Sequence, residues 1–348
     1  MAAPAVAGFR PAGVAVALAA AFVGSHQALA QPSGAQVIQG QASFAQQGNS
    51  LVITTQNGAG LNHSAINWQS FSVPAGSTTS FVQPSAASLS INRVVGNDPS
   101  AIYGTLSSNG RLVLVNPAGI AVGAGAVVDT AGFTASSLRM SEADALAGRL
   151  VFGDANAGSG AVQVDGKIVA RSGDVVLIAP NVQVGPQAIV QSPNGATMLA
   201  AGQKVELTGR GLEGIVLQVQ APADQAVNLG TLQGDAVGIF AGQLKHSGLI
   251  QATGISSEGG KVVLKALDSA DIAGQTTANK GETGGQVQAT AGKVMLRSGA
   301  VIDVSGAQGG GLVELGGGWQ GKDASVANAS WAAELPAAIR AKSRSRST

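Results

Sequence analysis

The sequence contains no cysteine, few aromatic residues and little charge. Aromatic residues make up 3% and charged residues 11% of its 348 positions, and soluble domains usually have a charged share of about 25%. Without cysteine, no disulfide can stabilise the fold. The formal net charge of +1 gives no reason to expect a general attraction to nucleic acid or to an anionic membrane.

Glycine and apolar residues are abundant instead. The chain has 50 glycines, and hydrophobic residues reach 45%. Disordered chains are poor in apolar residues, and collagen places glycine at every third position, so both classes are excluded. Apolar β-branched residues beside Gly, Asn and Asp predict many short strands joined by tight turns.

Residues 1–30 have the pattern of a secretory signal peptide. Arg10 precedes the uncharged apolar run 14–23, and Ala28 and Ala30 form an A-x-A end, after which cleavage is expected. The run is too short to span a bilayer, which needs about 20 residues. We therefore expect an exported chain that is not a transmembrane protein. Its lack of cysteine fits either a core that needs no disulfides or a chain that must cross a second membrane unfolded.

Short apolar strands recur in the second half of the chain, at intervals of mostly about 18–25 residues. They are residues 175–178, 197–200, 215–219, 237–240, 262–264, 294–296 and 312–315. The leucine-rich-repeat frame is missing, and the repeated region has no long helical face. The period predicts an all-β fold, a right-handed parallel β-helix. The strands before Val73 are expected to cap its N-terminal end, because an exposed sheet edge promotes aggregation.

Short elements outside the regular coils are also expected. Residues 141–150 predict a helix with Ser141 as N-cap and Gly148 near its end, lying over the flank of the rod or covering an edge. Period-2 alternation over residues 67–73 places Phe71 and Val73 on one face, opposite Trp68.

Three segments follow from these patterns: the signal peptide 1–30, the β-helical region 31–321 and a C-terminal tail 322–348. The tail is Ala-rich and basic, and we expect it to be disordered or weakly helical. Residues 316–318 resemble an unfinished coil, which favours a chain that is the front end of a longer protein over a short rod.

Catalytic and cofactor motifs find little support. Residues 209–214 match G-x-G-x-x-G, but a strand and not a helix follows, so we interpret the match as a coil turn. His63 and His246 have no cysteine partners and are expected at the surface or at corners. The carboxylates that lie close in sequence each stand beside a glycine, as is typical of turns: Asp154, Asp165 and Asp174. No enzyme activity, metal or cofactor is predicted.

Five ordered blocks resemble the N-terminal two-partner secretion domain of filamentous haemagglutinin-type exoproteins of Gram-negative bacteria. They are NWQSF (67–71), FVQP (81–84), INRV (91–94), DPSAIYG (98–104) and LVNPAGI (114–120). The resemblance covers residues 36–140 closely and residues up to about 318 more loosely. Within the blocks, Trp68, Phe71, Gln83 and Pro84 are interpreted as structural residues.

The resemblance implies export through the periplasm and recognition by a dedicated outer-membrane β-barrel transporter, with the β-helix folding outside the cell. The protein would then be secreted or held at the cell surface, and its receptor, on host cells or on carbohydrate, stays open. Where the family usually has N-P-N-G-I, this chain has Ala118, which removes one Asx-type bond, although we expect the turn to survive.

Residues Asn92, Arg93, Asn116, Pro117, Gly119 and Ile120 are predicted to serve transporter recognition. Polar side chains that point outward from the first coils are favoured, namely those of Asn92, Arg93 and Asn116. Replacing Asn92 or Asn116 is expected to lower the secreted yield. Two alternatives are a secreted β-helical carbohydrate-active enzyme and the truncated remnant of a large adhesin.

Overall fold

A computed structural model describes residues 31–153, 159–254, 260–280, 282–317, 328–334 and 337–341. The predicted signal peptide, with Ala28 and Ala30, lies outside these residues, and so does Asp154. In the described part the strands number thirty-one, β1 to β31 in chain order. Strands β1 to β16 are Gln36–Gln39, Gln41–Gln47, Ser50–Gln56, His63–Trp68, Thr78–Val82, Leu89–Val94, Ser100–Ile102, Thr105–Ser108, Arg111–Val115, Ile120–Val122, Val127–Thr130, Gly132–Ser136, Leu150–Phe152, Val162–Val164, Lys167–Ala170 and Val175–Ala179. Strands β17 to β31 are Asn181–Val184, Ile189–Ala201, Lys204–Leu207, Ile215–Val219, Gln225–Asn228, Thr231–His246, Leu249–Ala252, Lys261–Ile272, Gln275–Thr277, Gln286–Thr290, Lys293–Leu296, Val301–Asp303, Leu312–Leu315, Trp331–Glu334 and Ala338–Arg340.

Parallel pairing arranges most of these strands on three faces of a β-helix. Face A begins β3–β5–β8–β11–β15, face B begins β4–β6–β9–β12–β16, and face C begins β7–β10–β14–β17. The long strands β18, β22 and β24 turn corners, so that successive parts of one strand pair on successive faces. The predicted all-β, parallel β-helical fold is confirmed.

In the parallel strands from β3 to β28, alternate residues point into the β-helix and form one continuous core. This core extends from Leu51 and Ile53 in the first coil to Ile302 and Val304 near the other end. Burying each such side chain contributes about 1.5–3 kcal/mol, so every coil stabilises its own rung and the contact with its neighbours.

The predicted N-terminal cap is present, but it is smaller than expected. Among the strands before Val73, only β1 and β2 lie outside the parallel faces, and they pair antiparallel with β4 and β3 respectively. Strands β3 and β4 already belong to the parallel faces. The edge that the first rungs would expose is therefore covered by two antiparallel strands.

An aromatic cluster lies inside the first coils and corrects one prediction. Strand β4 ends at Trp68, so alternation does not continue to Phe71. Both side chains enter the same core, with ring centroids 5.4 Å apart and edge-to-face planes. Phe44 and Phe81 extend this cluster. Trp68 and Phe71 both pack in the main core, so their predicted placement on opposite faces is wrong.

A short helix and a separate sheet cover the outer side of face B. The helix α1, Glu142–Ala147, has Ser141 as N-cap and Gly148 as C-cap, as predicted. The sheet pairs β13, β19 and β20 antiparallel. It packs on the outward residues of β6, β9, β16 and β18 in a second apolar cluster.

This three-stranded sheet corrects two further predictions. Strand β20, residues 215–219, is not a coil of the rod, because it pairs only with β19 in the separate sheet. The G-x-G-x-x-G match forms the tip of the β19–β20 hairpin with a 3₁₀ turn at Leu212–Gly214, and not a coil corner. The prediction that a strand, and not a helix, follows the G-x-G-x-x-G match is correct, because β20 begins at Ile215.

The C-terminal region differs from the predicted tail. Strands β30 and β31 pair parallel with β27 and β28 and extend faces C and A. They lie at 331–334 and 338–340, where the sequence suggested disorder or weak helix, so that prediction is wrong for these residues. These residues include few strong strand formers, so their sequence did not indicate strands. They form strands because the neighbouring strands β27 and β28 offer them pairing partners. Among the described residues, no helix is long and apolar enough to cross a membrane.

Candidate functional site

The predicted recognition residues lie on neighbouring rungs of the first coils, and Asn116 organises one corner. Its side-chain amide donates to the Asp98 carbonyl and to the Ser100 hydroxyl, each at 2.9 Å. Its Oδ1 accepts from the backbone N–H of Ala118 at 3.0 Å. Asn116 therefore supplies the Asx turn itself, and the corner survives with Ala118, as predicted.

The rest of this corner needs particular backbone geometry. Gly119 has φ +114°, a region that favours glycine over L side chains. Its N–H donates to the Asn116 carbonyl at 3.0 Å. Ile120 is fully buried in the core and begins strand β10, whereas Pro117 is half-buried. The corner directs the chain from face B to face C.

Asn92 lies inside the β-helix and not on its surface. It shares the inward row of β6 with Val94 and pairs in register with Ile66 and Leu114. Its Oδ1 accepts from the Trp68 indole N–H at 2.9 Å. Its amide donates to the Ser90 carbonyl and hydroxyl. All hydrogen-bonding groups of the Asn92 amide are thus paired, which limits the cost of burying it.

Arg93 ties the first coils to helix α1. Its Nη1 donates to Asn67 Oδ1 at 2.8 Å and lies 3.6 Å from Glu142 of the helix. Its Nε donates to the Met140 carbonyl at 3.1 Å. Burial lowers the pKa of the Arg93 guanidinium, and Glu142 acts in the opposite direction. The cation therefore holds α1 against β4 and β6.

Gln83 closes the adjoining corner on face A. Its side-chain amide donates to the Ser108 hydroxyl and to the Arg111 carbonyl, each at 2.9 Å. Its backbone N–H and carbonyl bond to the side chain of Asn109 at 2.7 and 2.8 Å. Pro84 follows at an exposed position. These contacts join the chain at Gln83 to the next coil at Ser108, Asn109 and Arg111.

The expected outward orientation of the polar residues is wrong for two of the three. Asn92 and Asn116 are both 0% exposed, and only Arg93 reaches the surface in part. Leu112 and Leu114 of β9 enter the main core, while Val113 and Val115 enter the second cluster. Such an uninterrupted apolar run is typical of a strand covered on both sides. The run was the signal that a cover existed and that neighbouring polar residues were buried.

The predicted carboxylates and histidines have structural contacts. Asp165 accepts from the Gln163 amide at 2.7 Å. Asp174 accepts from the backbone N–H groups of Ala196 and Gly211 at 2.9 and 3.0 Å. His63 and His246 are buried, so a surface position was wrong for both. In the part of the chain that the structure describes, no three His, Asp or Glu residues lie close enough to hold a metal ion.

Comparison with known proteins decides the family. The model of the TPS (two-partner secretion) secretion domain family matches residues 28–314. The chain belongs to the TPS secretion domain family. The HMW1 secretion domain from Haemophilus influenzae has the same fold, with a TM-score of 0.81 and 27% identity, over 90% of this chain and 84% of that one. The resemblance seen in the sequence is therefore confirmed.

Curated relatives extend the comparison. A heme/hemopexin-binding protein of Haemophilus influenzae, strain Rd, is 28% identical over 266 residues, which are 70% of this chain and 29% of the relative. A second heme/hemopexin-binding protein from this species is 35% identical over 78 residues, 22% of this chain and 8% of the relative. The chain thus spans less than a third of the length of the curated relatives it matches. As a TPS secretion domain, it belongs with the exoproteins that Gram-negative bacteria secrete across their outer membrane.

Proposed function

We propose that this chain is the exported secretion domain of an adhesin-like, non-enzymatic exoprotein, recognised in the periplasm by an outer-membrane β-barrel transporter. Residues 1–30 serve as its signal peptide, and residues 31–321 hold the secretion domain with its following coils. The observation that carries the proposal is the family match, which covers the motif-bearing first coils. The receptor of the whole exoprotein lies on host cells or on carbohydrate.

The burial of the motif side chains limits when the transporter can contact them. The side chains of Asn92, Asn116 and Ile120 are inaccessible once the coils have closed, whereas Arg93 and Pro117 stay partly exposed. We place recognition by Asn92, Arg93, Asn116, Pro117, Gly119 and Ile120 before folding, on the extended chain. After export the same residues build the first rungs, from which coil-by-coil folding proceeds.

A pair of asparagines tests this role against a merely structural one. Asn228, on β21 of a later coil, is buried like Asn116. Its Oδ1 accepts from the Gly230 N–H at 3.1 Å and its amide bonds to His246. Asn116→Ala and Asn228→Ala therefore each remove a buried amide and an Asx bond, and we expect each to cost about 2–3 kcal/mol of unfolding free energy.

The export experiment compares both variants in cells that also produce the cognate transporter. Secreted and periplasmic protein are quantified, and the purified variants are unfolded in urea. We expect Asn116→Ala to reduce the secreted fraction several-fold and Asn228→Ala to leave it near wild type, although both are destabilised alike. Equal secretion of the two variants would contradict recognition through Asn116.

A further inference from the structure

A groove crosses four successive rungs at the corner between faces C and A. It has a volume of about 440 Å³ and is lined by Tyr103, Ala121, Gly123, Ala124, Gln163, Asp165, Pro186 and Gln187. Strands β7, β10, β14 and β17 stack in register beneath it. Four rungs at the usual strand spacing make the groove about 14 Å long.

Tyr103 forms one end of this groove in an unusual setting. It is the single tyrosine of the chain and is 37% exposed. Its ring lies across Gly123 of the next coil, where an added Cβ would come within 2.1 Å of the ring carbon Cε1. The glycine therefore lets the ring lie along the rod axis, with part of its surface open to solvent.

Asp165 repeats this arrangement two rungs further along. It stands one residue past β14, as Tyr103 stands one residue past β7. A Cβ at Gly185 would come within 2.0 Å of Asp165 Oδ1, so this carboxylate also lies over a glycine of the next coil. The amide of Gln163 donates to Asp165 Oδ2 at 2.7 Å, which fixes both groups.

The chemistry of the lining indicates its ligand. Gln163 and Gln187 each offer an amide donor and an acceptor, and Asp165, the one charged residue in the lining, accepts hydrogen bonds. Sugar hydroxyls donate and accept in the same way, and the C–H face of a sugar ring packs on an aromatic ring. The single negative charge disfavours sulfated or sialylated glycans. No cation in the lining would balance them.

We infer that this groove is a binding site for a neutral oligosaccharide, with Tyr103 as the stacking platform and Gln163, Asp165 and Gln187 as hydrogen-bonding partners. The site lies on the folded rod, so it acts after export and does not depend on the transporter. A groove of about 14 Å across parallel rungs suits a linear chain of a few sugar units laid along the rod axis.

The test is binding of the purified, folded chain to an immobilised panel of neutral oligosaccharides of hexoses and N-acetylhexosamines, with sulfated and sialylated counterparts. We expect binding to neutral members alone. For the strongest of them, calorimetric titration of Tyr103→Ala should show an affinity lower by about tenfold or more. Tyr103→Phe keeps the ring and should stay within about threefold of wild type.

Two further variants keep the test decisive if Tyr103→Ala unfolds. Gln187→Ala removes an exposed side chain from the groove and should weaken binding several-fold without changing thermal stability. Gln251→Ala removes a half-buried glutamine that accepts from the Gln233 amide and lines a different groove on face A, and it should bind as wild type does. The inference is overturned by binding to acidic glycans alone, by no binding to the panel, or by equal effects of Gln187→Ala and Gln251→Ala.

Discussion

The first coils and the later coils share one core but differ on the outside of face B. In the first coils, Ile91 and Val113 point away from the helix axis and are nevertheless buried beneath α1 and the three-stranded sheet. In β24, the outward positions Lys261 and Lys265 are exposed. The second apolar row begins in the coils that carry the family blocks and continues through β16 and β18, and it thins out toward β24, where Val263 is its last member.

Substitution of Trp68 is expected to give the largest difference in stability between the two regions. Trp68→Ala removes a ring packed against Phe44 and Phe71 and leaves Asn92 Oδ1 buried without its donor. We expect a loss of about 5 kcal/mol in the free energy of unfolding, from the cavity and the unpaired carbonyl together. Urea titration followed by circular dichroism measures it.

A later coil supplies the control for Trp68→Ala. Leu264 is fully buried in β24, and Leu264→Ala should cost about 3 kcal/mol through its cavity alone. Because coils couple mainly to their neighbours, its effect should concentrate on protection of amides near β22, β24 and β26 in hydrogen exchange. Equal losses of stability in the two variants would show that the aromatic cluster has no special role.

The later coils have their own weak point, a histidine inside the rod. Burial lowers the pKa of His246 from 6.5 to about 4, while neutral His246 bonds to Asn228 and to the Gln275 carbonyl. Between these pH values the unfolded chain binds more protons than the folded chain. The contribution of neutral His246 to the free energy of unfolding is therefore fully present above about pH 6.5. It decreases toward pH 4, by up to about 3 kcal/mol.

His246→Gln should remove this part of the pH dependence. We expect the variant to be less stable than wild type at pH 7 because a ring and a hydrogen bond are lost. Its stability should then decline less between pH 6.5 and pH 4. Urea midpoints measured across that range give the difference in slope. Carboxylates titrate in both proteins, so parallel slopes would mean that His246 takes up its proton as readily in the folded chain as in the unfolded chain.

Gly148 tests how firmly α1 covers the first coils. It ends the helix with φ +68°, and an added Cβ would lie 2.8 Å from the ring of His63. Gly125 has φ +81° but nothing within 4 Å of such a Cβ. We expect Gly125→Ala to cost about 1 kcal/mol from backbone strain, and Gly148→Ala about 2 kcal/mol or more. Equal decreases in melting temperature for the two variants would mean that the end of α1 moves away from His63 without a loss of stability.

The repeat period predicted the regular part of the rod because each coil buries the same kind of apolar residue at the same place. Residues 262–264 and 294–296 were therefore recognised as strands of the rod, and the caps of α1 were read from Ser141 and Gly148. These features depend on local sequence, which a single chain displays directly.

The cover of face B could not be predicted in the same way. Strand β20 has the same apolar pattern as a coil strand, and only its antiparallel pairing with β19 separates it from the rod. The burial of Asn92 depends on the indole of Trp68, 24 positions earlier in the chain. Polar residues were expected outside because most are exposed, and that rule does not hold where a distant partner satisfies the buried group.

The smallest expected effect concerns the ion pair between this cover and the rod. Lys261 of β24 lies 3.0 Å from Glu213 at the hairpin tip, and this contact lowers the pKa of Glu213. Both side chains are largely exposed, so Glu213→Gln should change the free energy of unfolding by less than about 0.5 kcal/mol, and less in high salt. Val205→Ala, beneath the same sheet and fully buried, should cost several times more. We therefore expect apolar burial, and not the ion pair, to hold the cover on the rod. A loss of unfolding free energy above about 1 kcal/mol for Glu213→Gln in urea titrations would show that the ion pair holds it instead.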